Sequence, residues 1–311
     1  MSPPVEIPPS FAAGHEAGDV EFAEFHARLP VLLREVLADW GLGVDGPATH
    51  GACALVVPVR TPGGRPAVLK LTFPHDEAQH EHLALQRWHG DGTVELLRAD
   101  PRRWALLLER LHADEDLGGL WDLEACEVVA GLYRRLHVPA LPQLRRLSSY
   151  VERWTDRLAA LPPDAPLPRR LVEQAVSLGR SFVGDGDTDA RTIHGDLHYA
   201  NVLAGDREPW LVIDPKPMAG DPHYEVAPML WNRWEEVVAS GNVRDAVRRR
   251  FFTLVDAAGL DEDRARAWVV VRELHNALWV VEDATAAGRP LDADDRDALT
   301  TAIAVAKAVQ D

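Results

Sequence analysis

The sequence predicts an α+β protein of two lobes, a small strand-rich one followed by a larger helical one, and three observations carry that prediction. The chain has 311 residues, and one hydrophobic core rarely grows beyond ~250–300 residues before a chain divides. Short apolar runs bounded by turn residues fill the region from Ala48 to Leu111, whereas most of the chain beyond Leu111 has helical periodicity. A polar, turn-rich segment, TIHGDLHYANVLAGDREPWLVID from Thr192 to Asp214, breaks the helical part in its middle. Apolar residues make up 46% of the chain, enough to fill two cores.

In chain order, a helix is expected from Val20 to Trp40 in the N-terminal flank. The run Ala67-Val68-Leu69-Lys70-Leu71 reads as a strand with one lysine embedded, and Asp76 to Trp88 as a helix with an apolar stripe at Ala84, Leu85 and Trp88. Ala105 to Leu111 reads as a further strand. Helices are expected over Leu120 to Leu136, Ser149 to Leu161 and Leu167 to Val183, separated by the proline-rich turns at Pro139 to Pro142 and Leu161 to Pro166. Val202 and Leu203, the turn residues Ala204 to Pro209, and Trp210 to Ile213 make a hairpin. Helices over Val226 to Ser240, Val243 to Ala258, Asp261 to Ala287 and Ala293 to Val309 complete the chain, and the sequence shows no internal repeat.

The chemistry concentrates in the polar segment. Asp196 and Asn201 stand five positions apart and Asp214 comes thirteen later, the order of the protein-kinase catalytic loop H-R-D-x-x-x-x-N and the Asp of D-F-G. In that pattern the first Asp accepts the proton of the acceptor hydroxyl, while Asn and the second Asp hold Mg²⁺. Here His194-Gly195-Asp196 replaces H-R-D, with His194 expected to hydrogen-bond the loop. The hairpin would bring Asn201 and Asp214 to the same end, and two oxygen ligands there suit Mg²⁺, which completes its shell with phosphates and water. Lys70 sits as the lysine of a V-A-I-K strand does, where it pairs with nucleotide phosphates. The region where a kinase carries a glycine-rich loop, His50 to Val56, has only Gly51, so phosphate binding is expected to rest on Lys70 and Mg²⁺.

Taken together, HGDLHYANVL, LVIDPKP and GDPHYEVAPMLWNR resemble the aminoglycoside phosphotransferases, and within them the streptomycin 6-kinase and hydroxyurea-resistance branch, over about Ala48 to Asp283. The resemblance implies a protein-kinase-like two-lobe fold. Residues 1–111 would hold the flank and nucleotide-binding lobe, and 112–311 the catalytic loop and substrate site. It implies ATP or GTP with Mg²⁺, and transfer of the γ-phosphoryl to a hydroxyl of a small cationic molecule, above all an aminoglycoside such as streptomycin. Choline, amino sugars and hydroxyurea are acceptors of similar kinases. Glu81 aligns with the Lys-pairing Glu, with Glu77 one turn away as an alternative. The Glu109 carbonyl and Leu111 amide would meet the adenine edge. In GDPHYEVA, Glu225 would support the catalytic loop and Asp221 would lie toward the substrate. The helix ending in Glu282 and Asp283 resembles that of the same branch, and its carboxylates would face the substrate's cations.

Composition narrows the partners. The net charge of −16 opposes binding to nucleic acid, which depends on Lys and Arg at phosphates, and fits a polycationic substrate. The first residues lack the basic and apolar regions of a secretory signal, and no run is apolar for the length a membrane span needs. Two cysteines, Cys53 and Cys126, make neither a disulfide framework nor a zinc knuckle. A cytoplasmic monomer or weak dimer is therefore expected. A competing class, a metal-dependent hydrolase, starts from His194, His198 and His223 with Asp214, or from His75, His80 and His82, but it gives no role to Asn201 or Lys70.

Overall fold

The computed structural model describes residues 5–13 and 20–310. By internal contacts the chain separates into residues 1–113 with 204–213, and 114–203 with 214–311.

The first unit contains helices α1 (Pro9–Ala13), α2 (Val20–Trp40) and α3 (Glu81–Trp88), and strands β1 (Gly43–Val44), β2 (Thr49–His50), β3 (Ala54–Arg60), β4 (Pro66–Thr72), β5 (Leu96–Asp100) and β6 (Ala105–Glu109). The strands form one six-stranded sheet in the order β1-β3-β4-β6-β5, with β2 on β3, and the pairs are antiparallel. Alternation puts Leu69 and Leu71 on the face that packs with Leu55, Val57 and Val59 against the apolar side of α2, at Leu29, Leu33 and Val36. Lys70, between the two leucines, belongs to the other face. It pairs in register with Val56 and Leu106, so it stands on a central strand. The helix expected from Asp76 begins only at Glu81: after Pro74 the chain makes single turns, with Ala78 N–H on His75 O and Glu81 N–H on Ala78 O.

Residues 204–213 belong to this unit because their own groups are satisfied there. Val94 N–H donates to Val212 O and Val212 N–H to Gly92 O. Arg207 donates to the Gly90 and Thr93 carbonyls and to Glu109. The turn and the second strand of the hairpin thus group with the first unit.

The chain enters the second unit within β7 (His112–Asp116). Next come α4 (Asp122–Leu136), β8 (Arg145–Arg146), α5 (Leu147–Ala159), α6 (Arg169–Val183), β9 (Arg191–Ile193), β10 (Val202–Ala204), β11 (Leu211–Val212) and β12 (Met218–Gly220). Of these, β11 lies in the first unit. The C-terminal helices are α7 (Pro228–Trp231), α8 (Trp234–Ala239), α9 (Val243–Ala258), α10 (Glu262–Ala286) and α11 (Ala293–Ala308). The helix expected over Val226 to Ser240 is broken, because Arg233 takes a left-handed φ of 56° and sends its guanidinium to the Leu117 and Leu120 carbonyls. Trp268 of α10 anchors the core by stacking on Phe182 of α6 at 3.8 Å, among Leu147, Val151, Ile193 and Met218. Among the described residues no helix is long and apolar enough to cross a membrane.

A small sheet sets up the site. β12 lies parallel to β8 and antiparallel to β9, with Met218 opposite Ile193 and Gly220 opposite Arg191. Ile193 immediately precedes His194, so this register fixes residues 194–196 against 214–217.

Candidate active site

The catalytic loop is held from below by buried groups. Gly195 has φ +87°, and a Cβ there would lie 2.4 Å from Lys216 O, so only glycine fits. Its N–H donates to Glu225 Oε1 (2.7 Å) and its carbonyl accepts from Arg272 Nη2 (2.7 Å). The other Glu225 oxygen meets His137 Nε2 at 2.7 Å, and the Glu225 carbonyl accepts from Tyr133 Oη. Burial alone would raise the Glu225 carboxyl, but the His137 hydrogen bond, neighbouring histidine charge and the Gly195 N–H more than offset it, and it lies below its usual value. Arg272 also donates to Tyr224 O and stacks over the Tyr224 ring at 4.3 Å. His194 is buried; its carbonyl accepts from Lys216 N–H and its Nδ1 from Asp196 N–H.

On this floor stand the reactive groups. The Asn201 amide nitrogen donates to Asp196 O at 2.8 Å and to His198 Nε2 at 3.1 Å, which ties the Asn head group to the backbone of Asp196. Burial pushes His198 below its usual value. Asp214 has a left-handed φ of 53° although Pro215 comes next, a strained setting of the kind retained at functional positions. Lys216 Nζ lies 3.2 Å from Asp196 Oδ2 and 3.5 Å from Asp214 Oδ2, so one ammonium gathers both carboxylates. All three side chains are partly exposed, at 31% for Asp196, 42% for Asp214 and 29% for Lys216.

In the first unit, Lys70 Nζ donates to both oxygens of Glu81, at 2.7 and 2.8 Å. Lys70 and Glu81 are buried, at 6% and 2% exposure, and a charge pair so desolvated fixes the lysine head group firmly. Glu109 and Leu111 stand where the chain leaves β6, and the Glu109 side chain accepts from Glu95 N–H and Arg207.

Two of the residues expected toward the substrate are paired within the protein. Asp221 is only 2% exposed; its Oδ1 accepts from His223 N–H and pairs with His223 Nδ1, and its Oδ2 accepts from Arg264 Nε and Trp268 Nε1. Both oxygens are thus occupied inside the core, and Asp221 braces the start of α10 rather than facing a substrate. Glu282 makes a two-point pair with Arg157, 2.8 Å at each contact, and Arg157 lies over the Trp154 ring. Asp283, its neighbour, is exposed.

Sequence reasoning missed Lys216, His137 and Arg272. Only Lys216 carries a local signal, two residues after Asp214 and between two prolines. Among the described residues no group of three His, Cys, Asp or Glu side chains converges as a metal site would, which leaves the hydrolase alternative without a ligand set. The oxygens of an Asn and two Asp side chains close together suit a hard cation of the kind that shares its shell with phosphate oxygens.

A model of the aminoglycoside/hydroxyurea antibiotic resistance kinase family matches residues 39–284. The chain is 44% identical to a streptomycin 6-kinase of Streptomyces glaucescens, over 92% of this chain and 94% of that one. It is also 44% identical to a hydroxyurea phosphotransferase of Kitasatospora aureofaciens, over 84% of this chain and 75% of the relative. Among solved structures, a thermostable mutant of aminoglycoside phosphotransferase APH(4)-Ia, in ternary complex with ADP and hygromycin B, superposes with a TM-score of 0.59 at 16% identity, over 88% of this chain and 97% of that one. The chain belongs to the aminoglycoside/hydroxyurea antibiotic resistance kinase family, has the protein-kinase-like fold, and is an ATP-dependent phosphotransferase.

Proposed function

We propose that this kinase transfers the γ-phosphoryl of ATP to a hydroxyl of a streptomycin-type aminoglycoside. The observation that carries the assignment of the site is the gathering of Asp196 and Asp214 on one ammonium, with Asn201 tethered to the Asp196 backbone. Asp196 accepts the hydroxyl proton as the acceptor oxygen bonds to phosphorus. The bond from phosphorus to the bridging oxygen breaks, and its electron pair leaves with ADP. Asn201 and Asp214 hold Mg²⁺, which supplies charge neutralisation at the phosphates when bound. Lys70, oriented by Glu81, binds nucleotide phosphates, and the Glu109 carbonyl and Leu111 amide read the adenine edge. Catalysis of this kind is positioning and electrostatics, because the transition state is loose and offers little covalent work. Asp283 offers an exposed carboxylate to the cationic acceptor, while Glu282 acts through its pair with Arg157.

The acceptor is tested by monitoring ADP release with ATP and Mg²⁺ over streptomycin, hydroxyurea and choline in parallel. Turnover with streptomycin well above the other two is expected. Turnover with hydroxyurea and none with streptomycin would replace this reading by the alternative for which the Kitasatospora relative is named. Substituting GTP for ATP in the same assay is expected to lower the rate.

A further inference from the structure

We propose that Lys216 is a catalytic residue of this reaction, its ammonium contacting the non-bridging oxygens of the phosphoryl group as it is transferred. The proposal rests on the kinase reading and assigns a task to a residue that the catalytic-loop pattern does not contain.

The first ground is position. Lys216 Nζ is 3.2 Å from the candidate base and 3.5 Å from a candidate metal ligand. A phosphoryl group passing to a hydroxyl beside Asp196 brings negative oxygens toward two carboxylates, and like charges so close repel strongly. Its transition state spreads charge over three equatorial oxygens, and a fixed cation there is worth more in the transition state than in the ground state.

The second ground is how rigidly the residue is carried. Pro215 and Pro217 flank Lys216, each with φ fixed near −65°, and Lys216 itself is restricted by the proline after it. Its N–H donates to His194 O at 2.8 Å, its own carbonyl abuts Gly195 closely enough to exclude any Cβ, and Met218 pairs with Ile193. The catalytic loop and the lysine are therefore registered to each other on both sides of Gly195. A solvated lysine paired with surface carboxylates is worth little to stability, and a backbone clamped by two prolines and a closely packed glycine goes beyond what such a pair requires.

The third ground is electrical balance. Asp196 and Asp214 share the Lys216 ammonium, and both have functions that draw them to other partners: Asp196 to the acceptor hydroxyl, Asp214 to the metal. When those partners arrive, the ammonium is left facing the phosphoryl oxygens. Lys216 keeps its proton throughout, since the hydroxyl proton goes to Asp196 and the bond broken is that to the ADP oxygen.

The test separates contact with phosphate from mere support of Asp196. Dissociation constants of Mg²⁺-AMP-PNP and Mg²⁺-ADP are measured by calorimetry for wild type, Lys216→Met and Lys216→Arg, with melting temperatures as the folding control. Lys216→Met is expected to bind AMP-PNP about ten-fold more weakly, the scale of one charge-assisted hydrogen bond, and ADP within about two-fold of wild type. Its kcat is expected to fall by roughly 10²-fold, with Lys216→Arg recovering part of the AMP-PNP preference. An unchanged ratio of the two constants in Lys216→Met would overturn the proposal, and a reduced kcat beside that unchanged ratio would make Lys216 a positioning residue for Asp196. If Lys216→Met does not fold, Lys216→Gln gives the same ratio without the charge. Wild-type protein that binds neither nucleotide would instead defeat the kinase reading itself.

Discussion

The groups beneath the catalytic loop and those on its upper side are of the same chemical types but are used in opposite ways. Below, Glu225 is shared between His137 and the Gly195 N–H, Asp221 between His223, Arg264 and Trp268, and Arg272 bridges two carbonyls. On the upper side, two carboxylates converge on one lysine, and all three are partly exposed. Buried charges are tolerable only when paired and hydrogen-bonded, so the lower layer is densely paired and stiff. Solvated charges are held at small cost, and it is to the upper layer that the proposed function gives the proton, the metal and the phosphate. The difference predicts that substitutions in the lower layer act on stability and those in the upper layer on turnover.

The largest effect is expected at Glu225. Glu225→Ala leaves His137 and the Gly195 N–H without their acceptor inside the core, and should cost ~3–5 kcal/mol in urea unfolding, as broken buried pairs do. A loss below about 1 kcal/mol would erase the distinction between the layers. Next is Asp196→Asn, expected to lower kcat by about 10²-fold, the scale of general base catalysis, with the unfolding midpoint and ATP affinity close to wild type. Near wild-type kcat in that folded variant would remove the base assignment.

A smaller effect concerns pH. Burial pushes His275 down to about 3 from 6.5, so the unfolded chain takes up a proton that the folded one refuses. Its contribution is complete above the unfolded value and is lost as pH falls through the window from 6.5 toward 3, at ~1.4 kcal/mol per pH unit. Burial holds Glu273 well above its ordinary value, which gives a slope of opposite sign, so the wild type alone does not isolate His275. The comparison with His275→Gln does: between pH 7 and 5 the wild type should lose about 2 kcal/mol more than the variant. Equal losses would show that burial of His275 is not what makes the fold acid-sensitive. The smallest effect belongs to the rim. Asp283→Asn is expected to raise KM for the aminoglycoside about ten-fold, or ~1.4 kcal/mol, without changing KM for ATP. The wild-type aminoglycoside KM should rise with ionic strength, since exposed charges are screened over ~10 Å at 0.1 M salt.

The two layers are also unequally legible in the sequence. The upper one announces itself because Asp196, Asn201 and Asp214 lie on one short stretch and their spacing is a property of the chemistry. Lys70 and the helix that carries Glu81 can be read for a similar reason, as a lysine alone in an apolar strand with a short acidic helix after it. The lower layer is assembled from residues as far apart as His137, Glu225 and Arg272, and no local period reports such pairings. Glu225 and Asp221 are both acids in one short segment, so sequence cannot tell that Asp221 is consumed by Arg264 and Trp268 in the core. Long amphipathic helices such as Val20–Trp40 and Val243–Ala258 are legible to the residue, while the break at Arg233 is not, because it depends on carbonyls at Leu117 and Leu120. Lys216 is in plain view between two prolines, but the pattern that identifies the loop has no place for it.

The most direct test of the central claim is mass spectrometry of streptomycin incubated with the wild-type chain, ATP and Mg²⁺, with ADP counted in the same sample. The account predicts an antibiotic heavier by a single phosphoryl group and one ADP for each molecule modified, with both lost together in Asp196→Asn. ADP accumulating beside unmodified streptomycin, or equal product from Asp196→Asn, would contradict it.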